Sequence, residues 1–394
     1  MHTVIVGGGF GGVKAALELA KDTKNRITLI SDRSDFQYYP ALYSAATGHS
    51  HLESWVPLAT IFAHVPSVSV VQDRVTTLTA SAKTLTGASG ETYSYDNCIL
   101  ALGTVTTYFG IKGLDTYAYG IKSTQEIARL KQHLYEDIAE HHMVDKHYVV
   151  VGAGPTGVEL AAALGTYLQR LCRQYHVTEH KLSIDLIEAA PRVLPRMSEG
   201  ASRKVLRRLK RLGVEVQTGK TVESATATDL VVSGTTIDTK TVIWTSGVAN
   251  HPFYKQQADG FTFAPNGRVV VDEYMRASEY VYVIGDNAAT PFTGLAQTAL
   301  HDGVFVAKNL VRLEQKKKQR KYSAIRPPVV VPVGDRWAIF EWHGLRIGGV
   351  IGAMIRRAAD FIGYSDILPL GQALGVWRAS KIIEDDEYIP LSKQ

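Results

Sequence analysis

The residues with the clearest chemical potential are two sets of glycines, each followed by an acid at a set distance. Gly7, Gly9 and Gly12 lie in "VIVGGGFGG", and Gly152, Gly154 and Gly157 in "VVVGAGPTGVEL". At G-x-G-x-x-G spacing the first glycine permits a tight turn, the second lets backbone approach a pyrophosphate, and the third lets a helix pack on its strand. The amide N–H groups and positive dipole end of that helix then face the anion. Asp32 lies 20 residues beyond Gly12, the distance at which an acid meets a ribose hydroxyl. Glu188 ends the strand after the second loop, where it accepts from ribose hydroxyls and repels a 2′-phosphate, so NADH is expected over NADPH. Glu159 stands two residues beyond Gly157 and is read as a first-turn carboxylate, which the helix dipole favours by roughly 0.3–1 kcal/mol.

Such glycines work only when strand, turn and helix follow one another around them. Thr3 to Val6 is β-branched and ends in glycine, and Val13, Leu17 and Ala20 repeat at helical spacing. "RITLIS" supplies the return strand. "HYVVVGAG", "GVELAAALGTYLQRL" and "LSIDLIEAA" repeat the same order. Between the two units, Ser67 to Leu102 reads as short alternating strands and "STQEIARLKQHLYEDIAEH" as a helix. "VEVQTG" and "TVIWTSG" complete the second unit, and "GRVVVDEYMRASEYVYVIGDNA" restores the strand chemistry of the first. Gly285 and Asp286 close that return, placing a carboxylate at the ribityl or pyrophosphate part of a flavin on the first loop. One loop for FAD and one for NADH is chemically coherent, because a flavin accepts electrons as a pair and returns them to a different acceptor.

The predicted fold class is therefore α/β, with two Rossmann-like dinucleotide-binding domains, the second inserted in the first, and a small C-terminal module. The expected bounds are 1–114 and 254–322 for the first domain, 115–253 for the second and 323–394 for the module. A chain of 394 residues with 45% hydrophobic content suits two or three such cores. A net charge of +5 without an aromatic-interleaved basic stripe argues against nucleic acid as a partner. Cys98 and Cys172 stand alone, with no C-x-x-C and no His/Cys cluster at metal-ligand spacing, so reduced, packed thiols and no metal are expected. The first strand starts almost at residue 1, leaving no room for a secretory signal, and no apolar stretch reaches the ~18–20 residues of a membrane span.

The chain resembles a known group in the stretches "GGGFGG", "FQYYPALYSAATG", "ALGTVTTYFGIKG", "GAGPTGVELA", "LIEAAPRVLP", "VIWTSGV", "VIGDNA" and "AQTALHDG". In this order they are similar to type II NADH dehydrogenases, the single-subunit NADH:quinone oxidoreductases among the flavoproteins with two dinucleotide-binding domains. The resemblance covers nearly the whole chain. It implies an FAD-dependent enzyme passing two electrons from NADH through FAD to a membrane quinone, respiratory but not proton-pumping. It implies FAD on Gly7, Gly9, Gly12, Asp32, Gly285, Asp286 and Ala296, and NADH on Gly152, Gly154, Gly157, Glu188 and Gly247. It further implies a quinone near Ala296 and Gln297, with Gln297 and Glu159 as catalytic residues and Glu159 serving nicotinamide positioning or proton delivery. The chain departs from the pattern at His301 and Asp302, where glutamines are usual. Trp244 to Val248 is read as lining the approach to the nicotinamide side. Ala45, Ala46 and Thr47 stand where a disulfide reductase needs its cysteine pair, and no cysteine follows Cys172, which sets aside sulfide:quinone chemistry.

In the tail, Ile351, Met354, Ile355, Ala358 and Ile362 share one helical face, with Arg356, Arg357 and Asp360 elsewhere, and Leu370, Leu374, Trp377, Arg378 and Lys381 follow. This pattern fits an anionic lipid surface with apolar side down and basic residues at the headgroups, or a core or homodimer contact. Family resemblance favours peripheral attachment at the cytoplasmic face of the cell membrane. The run Lys316 to Lys321 is read as a solvated loop. Two other functions stay open from the residues: an NADH-dependent reductase of a soluble ferredoxin-like carrier, and a non-turnover NADH-sensing flavoprotein.

Overall fold

Apolar runs ending in glycine build the two parallel sheets that carry the loops. In the first, His2–Val6 is central, with Arg26–Ser31 and Val68–Gln72 on one side and Asn97–Leu100 and Val281–Val283 on the other. These pairings are all parallel, and Arg276–Ser278 adds an antiparallel edge. Val4, Ile5, Leu29, Ile99 and Val283 are fully buried, as expected of parallel strands covered on both faces. In the second sheet Tyr148–Val151 lies between Ile184–Glu188 and Thr241–Trp244, with Val214–Thr218 outside, again all parallel. The computed structural model describes residues 1–22, 24–178, 181–257 and 260–384.

Because Val281–Val283 pairs with Asn97–Leu100, the chain leaves the first sheet, builds the second, and returns: the second unit is inserted, as its place in the sequence predicts. A short antiparallel pair, Thr104–Thr106 with Val248–Asn250, ties the outgoing pass to the returning one. The alternating stretch before residue 102 also forms a small sheet of its own. Val75–Thr79 joins Thr84–Gly87 and Thr92–Ser94 in an antiparallel sheet. Cys98 and Cys172 are both buried, and burial pushes both thiols up.

The tail is built of three antiparallel strands, Val329–Pro332, Ala338–Trp342 and Leu345–Gly349, and two helices, Val350–Ser365 and Leu370–Ala379. His343 and Gly344, with φ of 45° and 87°, form the tight two-residue turn of its hairpin. Val331, Val333 and Ile339 enter the core of the second domain, whereas Tyr364, Ile367, Leu368 and Ala373 enter that of the first. The tail therefore clamps both nucleotide domains. Its longer helix is turned opposite to the usual sense: Ile351, Met354 and Ile362 are 62, 66 and 62% exposed, while Arg356 is buried. The expectation that Arg356 reaches headgroups is corrected by this orientation. Among the described residues, no helix is long and apolar enough to cross a membrane. In the lysine run, Lys321 pairs with Glu273 at 2.7 Å at the surface.

Candidate active site

The two loops have the same local construction. Gly7 and Gly152 have φ of 116° and 105°, a region open to glycine, and a Cβ there would lie 2.3 Å from Ala101 O and 2.2 Å from Ser246 Oγ. A Cβ on Gly12 or Gly157 would lie 2.0 or 1.8 Å from the carbonyl oxygen of Gly7 or Gly152, so the third glycine of each set lets helix and strand meet. The second glycines differ in kind. A Cβ on Gly9 or Gly154 would meet nothing within 4 Å. Nothing within the protein requires glycine there, so the bare backbone faces outward toward a ligand. Gly9 and Gly154 are also the N-caps of helices Phe10–Leu19 and Pro155–Gln174, neither with a capping side chain nor an acid in its first turn. Both helix ends keep amide donors for an external anion, the arrangement a dinucleotide diphosphate needs.

Around the first loop, Asp32 follows strand Arg26–Ser31 with its side chain exposed. Gly285 and Asp286 form a turn against the loop helix, since a Cβ on Gly11 would touch Ile284 Cδ1 at 3.0 Å and one on Gly285 would touch Ala299 at 3.3 Å. Burial pushes the Asp286 carboxyl up, and its Oδ1 accepts from Gly294 N at 3.1 Å. Ala296 and Gln297 begin helix Ala296–Glu314, which has no side-chain cap, and Gln297 is exposed. Around the second loop, Glu188 accepts from Ala153 N at 2.6 Å and Ala190 N at 2.8 Å, so its carboxylate is held beside the loop. Gly247, with φ 78°, packs so closely that a Cβ would lie 2.5 Å from the Phe109 ring. Trp244 is buried and donates through Nε1 to Thr107 O at 3.0 Å, while Val248 is half exposed.

Glu159 is not a first-turn carboxylate. It is the fifth residue of its helix, buried, and bonded to Arg356 Nη1 at 3.2 Å across the contact with the tail. Arg356 also donates through Nε to Asp360 at 3.0 and 2.8 Å and through Nη2 to Pro40 O at 2.7 Å. Tyr38 OH bonds Asp360 at 3.1 Å, and Tyr364 OH donates to Glu53 O at 2.6 Å. Burial outweighs the guanidinium and pushes Glu159 up to about 7; burial likewise pushes Glu53 up to about 7. Three carboxylates and a buried arginine thus meet where helix Pro155–Gln174, the segment 38–53 and the tail helix converge. Such a cluster can bind and release protons near neutrality.

The structure holds Glu188 beside the second loop and the Gly285–Asp286 turn near the first, and it places Glu159 in a buried cluster rather than at a helix start. The sequence reading misses Glu53, Arg356 as a buried partner, and Asp360. No hydrogen bond joins Gln297 to Glu159 among the described residues. His301 and Asp302 stand a turn beyond Gln297: His301 Nε2 lies 3.0 Å from Ser323 O, and Asp302 is fully buried. Asp302 accepts from Gly285 N at 3.0 Å and Tyr322 OH at 2.6 Å, and burial pushes it up to about 6. Its carboxylate holds the turn that presents Asp286. Among the described residues no cluster could hold a metal ion.

Residues 1–303 match the family described as pyridine nucleotide-disulphide oxidoreductase. The chain is 25% identical over 380 residues to a type II NADH:quinone oxidoreductase of Staphylococcus saprophyticus, covering 91% of this chain and 93% of that one. It is 26% identical, with the same coverage, to a protein of that name from Staphylococcus aureus strain NCTC 8325. Among solved structures, the NDH2 of Plasmodium falciparum in complex with NADH superposes with a TM-score of 0.84 at 18% identity, covering 96% of this chain and 97% of that one. The sulfide:quinone oxidoreductase of Aquifex aeolicus gives 0.77 at 20% identity, covering 91% and 89%. These superpositions speak to the fold.

Proposed function

Because the chain belongs to the pyridine nucleotide-disulphide oxidoreductase family, we propose that it is an FAD-carrying NADH:quinone oxidoreductase of type II. The observation that carries this reading is the pair of uncapped loops whose second glycines, Gly9 and Gly154, open outward while every other loop glycine is locked against protein. Both named staphylococcal relatives support it across more than nine-tenths of their length.

In this reading the amides of the first loop bind the FAD diphosphate, Asp32 the adenosine ribose, and the Gly285–Asp286 turn with Ala296 the far half of the cofactor. Bound there, FAD supplies a two-electron relay between nicotinamide and quinone. The second loop binds NADH, Glu188 accepts from its ribose, and Gly247 keeps the approach narrow. Gln297, exposed at an uncapped helix start, orients the acceptor. Glu159 takes up and releases a proton near neutrality, because burial favours the neutral acid while Arg356 beside it favours the carboxylate. The outward apolar face of Ile351, Met354 and Ile362, with Leu370 beyond it, rests on an anionic membrane, peripherally and at the cytoplasmic face, or on a second copy of the chain.

Steady-state turnover tests the reading. The purified chain should release FAD on denaturation and oxidise NADH with a water-soluble quinone, with lower kcat/KM for NADPH. Absence of FAD, or no quinone-dependent NADH oxidation, contradicts it. Sedimentation with vesicles containing anionic lipid separates the two roles of the tail: binding supports the lipid role, whereas a dimer that ignores vesicles supports the second copy.

A further inference from the structure

Among the described residues, Lys122 carries an ammonium group without a hydrogen-bond partner. Its Nζ is shielded from solvent. Its main chain, by contrast, is held from both domains: Gln37 Nε2 donates to Lys122 O at 2.5 Å, and Lys122 N donates to Glu126 Oε2 at 2.5 Å. That Glu126 oxygen also takes Ser123 N at 3.1 Å in the helix cap, so it is already engaged by backbone. The other carboxylate acting on Lys122 is Asp286, and Arg268 and Arg196 act on the same Asp286. Several cations thus gather on one acid.

The location is tied to the first loop. Phe36, next to Gln37, packs on Phe10 at the start of the loop helix with ring centroids 4.9 Å apart. Asp286 belongs to the turn that lies on the same helix end, and Tyr39 feels the charges of both Asp32 and Asp286. A lone buried ammonium costs several kcal/mol unless an anion compensates it, on general grounds. Burial lowers the proton affinity of Lys122, and the charges of Glu126 and Asp286 offset it only in part.

We propose that Lys122 is a counter-charge for the diphosphate of the dinucleotide on the first loop. This rests on the reading of that loop as the FAD site. The segment bearing Lys122 links the two nucleotide units, so its contact with the cofactor also fixes the crossing between them.

Two readouts on the full-length chain test this, neither of them turnover. Flavin fluorescence titration of the deflavinated protein should show Lys122→Met binding FAD about 10- to 100-fold more weakly. Riboflavin, which lacks the diphosphate, should bind both proteins alike, and Lys122→Arg should retain most of the FAD affinity. Thermal melts should show flavin-free Lys122→Met more stable than the flavin-free native chain, because an uncompensated charge is gone, with a smaller rise on adding FAD. Equal FAD affinity in the two proteins, an equal loss for riboflavin, or a lower melting temperature of the flavin-free variant overturns the proposal. If the native chain binds no FAD, the FAD reading itself fails and the proposal with it.

Discussion

The first and second loops share their hydrogen bonds as well as their glycines: Gly7 N donates to Ile30 O at 2.8 Å, and Gly152 N to Ile187 O at 2.7 Å. Their helices are backed in different ways. Behind the first, helix Ala296–Glu314 crosses so closely that a Cβ on Gly303 would lie 2.5 Å from Gly11 O, a contact of bare backbone. Behind the second stands the Glu159–Arg356 pair, reaching from the loop helix into the tail. The first loop helix is fixed both by close packing within its own domain and by an ion pair to the tail, Lys14 Nζ to Asp366 Oδ1 at 2.7 Å. The second is fixed to the same tail through a buried pair, Glu159 and Arg356, and that tail also presents an apolar face to the outside. The comparison teaches that both sites are tied to the tail, and that the second is the one tied through a buried carboxyl that titrates near neutrality.

The strongest way to break the symmetry is to remove one loop at a time. Gly12→Ala should lose flavin, whereas Gly157→Ala should keep a yellow protein whose reduction by NADH slows by about 100-fold or more; absorbance and stopped-flow mixing check both. Next in size is the clamp. Arg356→Met leaves Glu159 and Asp360 without their guanidinium, and chemical denaturation should show a loss of about 3–5 kcal/mol, with flavin retained on the first loop.

A subtler contrast lies in pH. Glu53 has a folded value near 7 against an ordinary 4.5, so its stabilising contribution is complete below 4.5 and is lost as pH rises through about 7. Glu53→Gln cannot charge. Its melting temperature relative to the native chain should therefore rise between pH 5 and pH 8, by about 2 °C or more, and a flat difference would remove Glu53 from the cluster's titration. The smallest effect belongs to His301, whose Nε2 is engaged by Ser323 O at 3.0 Å. His301→Gln should leave quinone KM and kcat unchanged in steady-state assays.

Much of this design was legible in the chain because it is local. A glycine loop declares its strand, turn and helix within some twenty residues, and Asp32 and Glu188 end the very next strands. The insertion was legible too, since "VYVIGDNA" had to return to a sheet. The buried cluster was not. Arg356 and Asp360 are neighbours at i,i+4 on one helix, but Glu53 and Glu159 are brought to them only by tertiary packing. Helical periodicity correctly grouped Ile351, Met354 and Ile362, but periodicity does not say which face turns inward, so Arg356 was assigned to headgroups. The hairpin at His343 and Gly344 was hidden by its short strands, although a glycine two residues after Trp342 was the available signal.

The most direct test of the central claim, that the two loops hold two different nucleotides in one electron path, is anaerobic absorbance at the flavin band during sequential addition of NADH and a short-chain quinone. The account predicts a yellow protein that is bleached by one equivalent of NADH and recovers on one equivalent of quinone, with the first step alone lost in Gly157→Ala. A colourless protein, a band that NADH does not bleach, or a bleached band that quinone does not restore would contradict it.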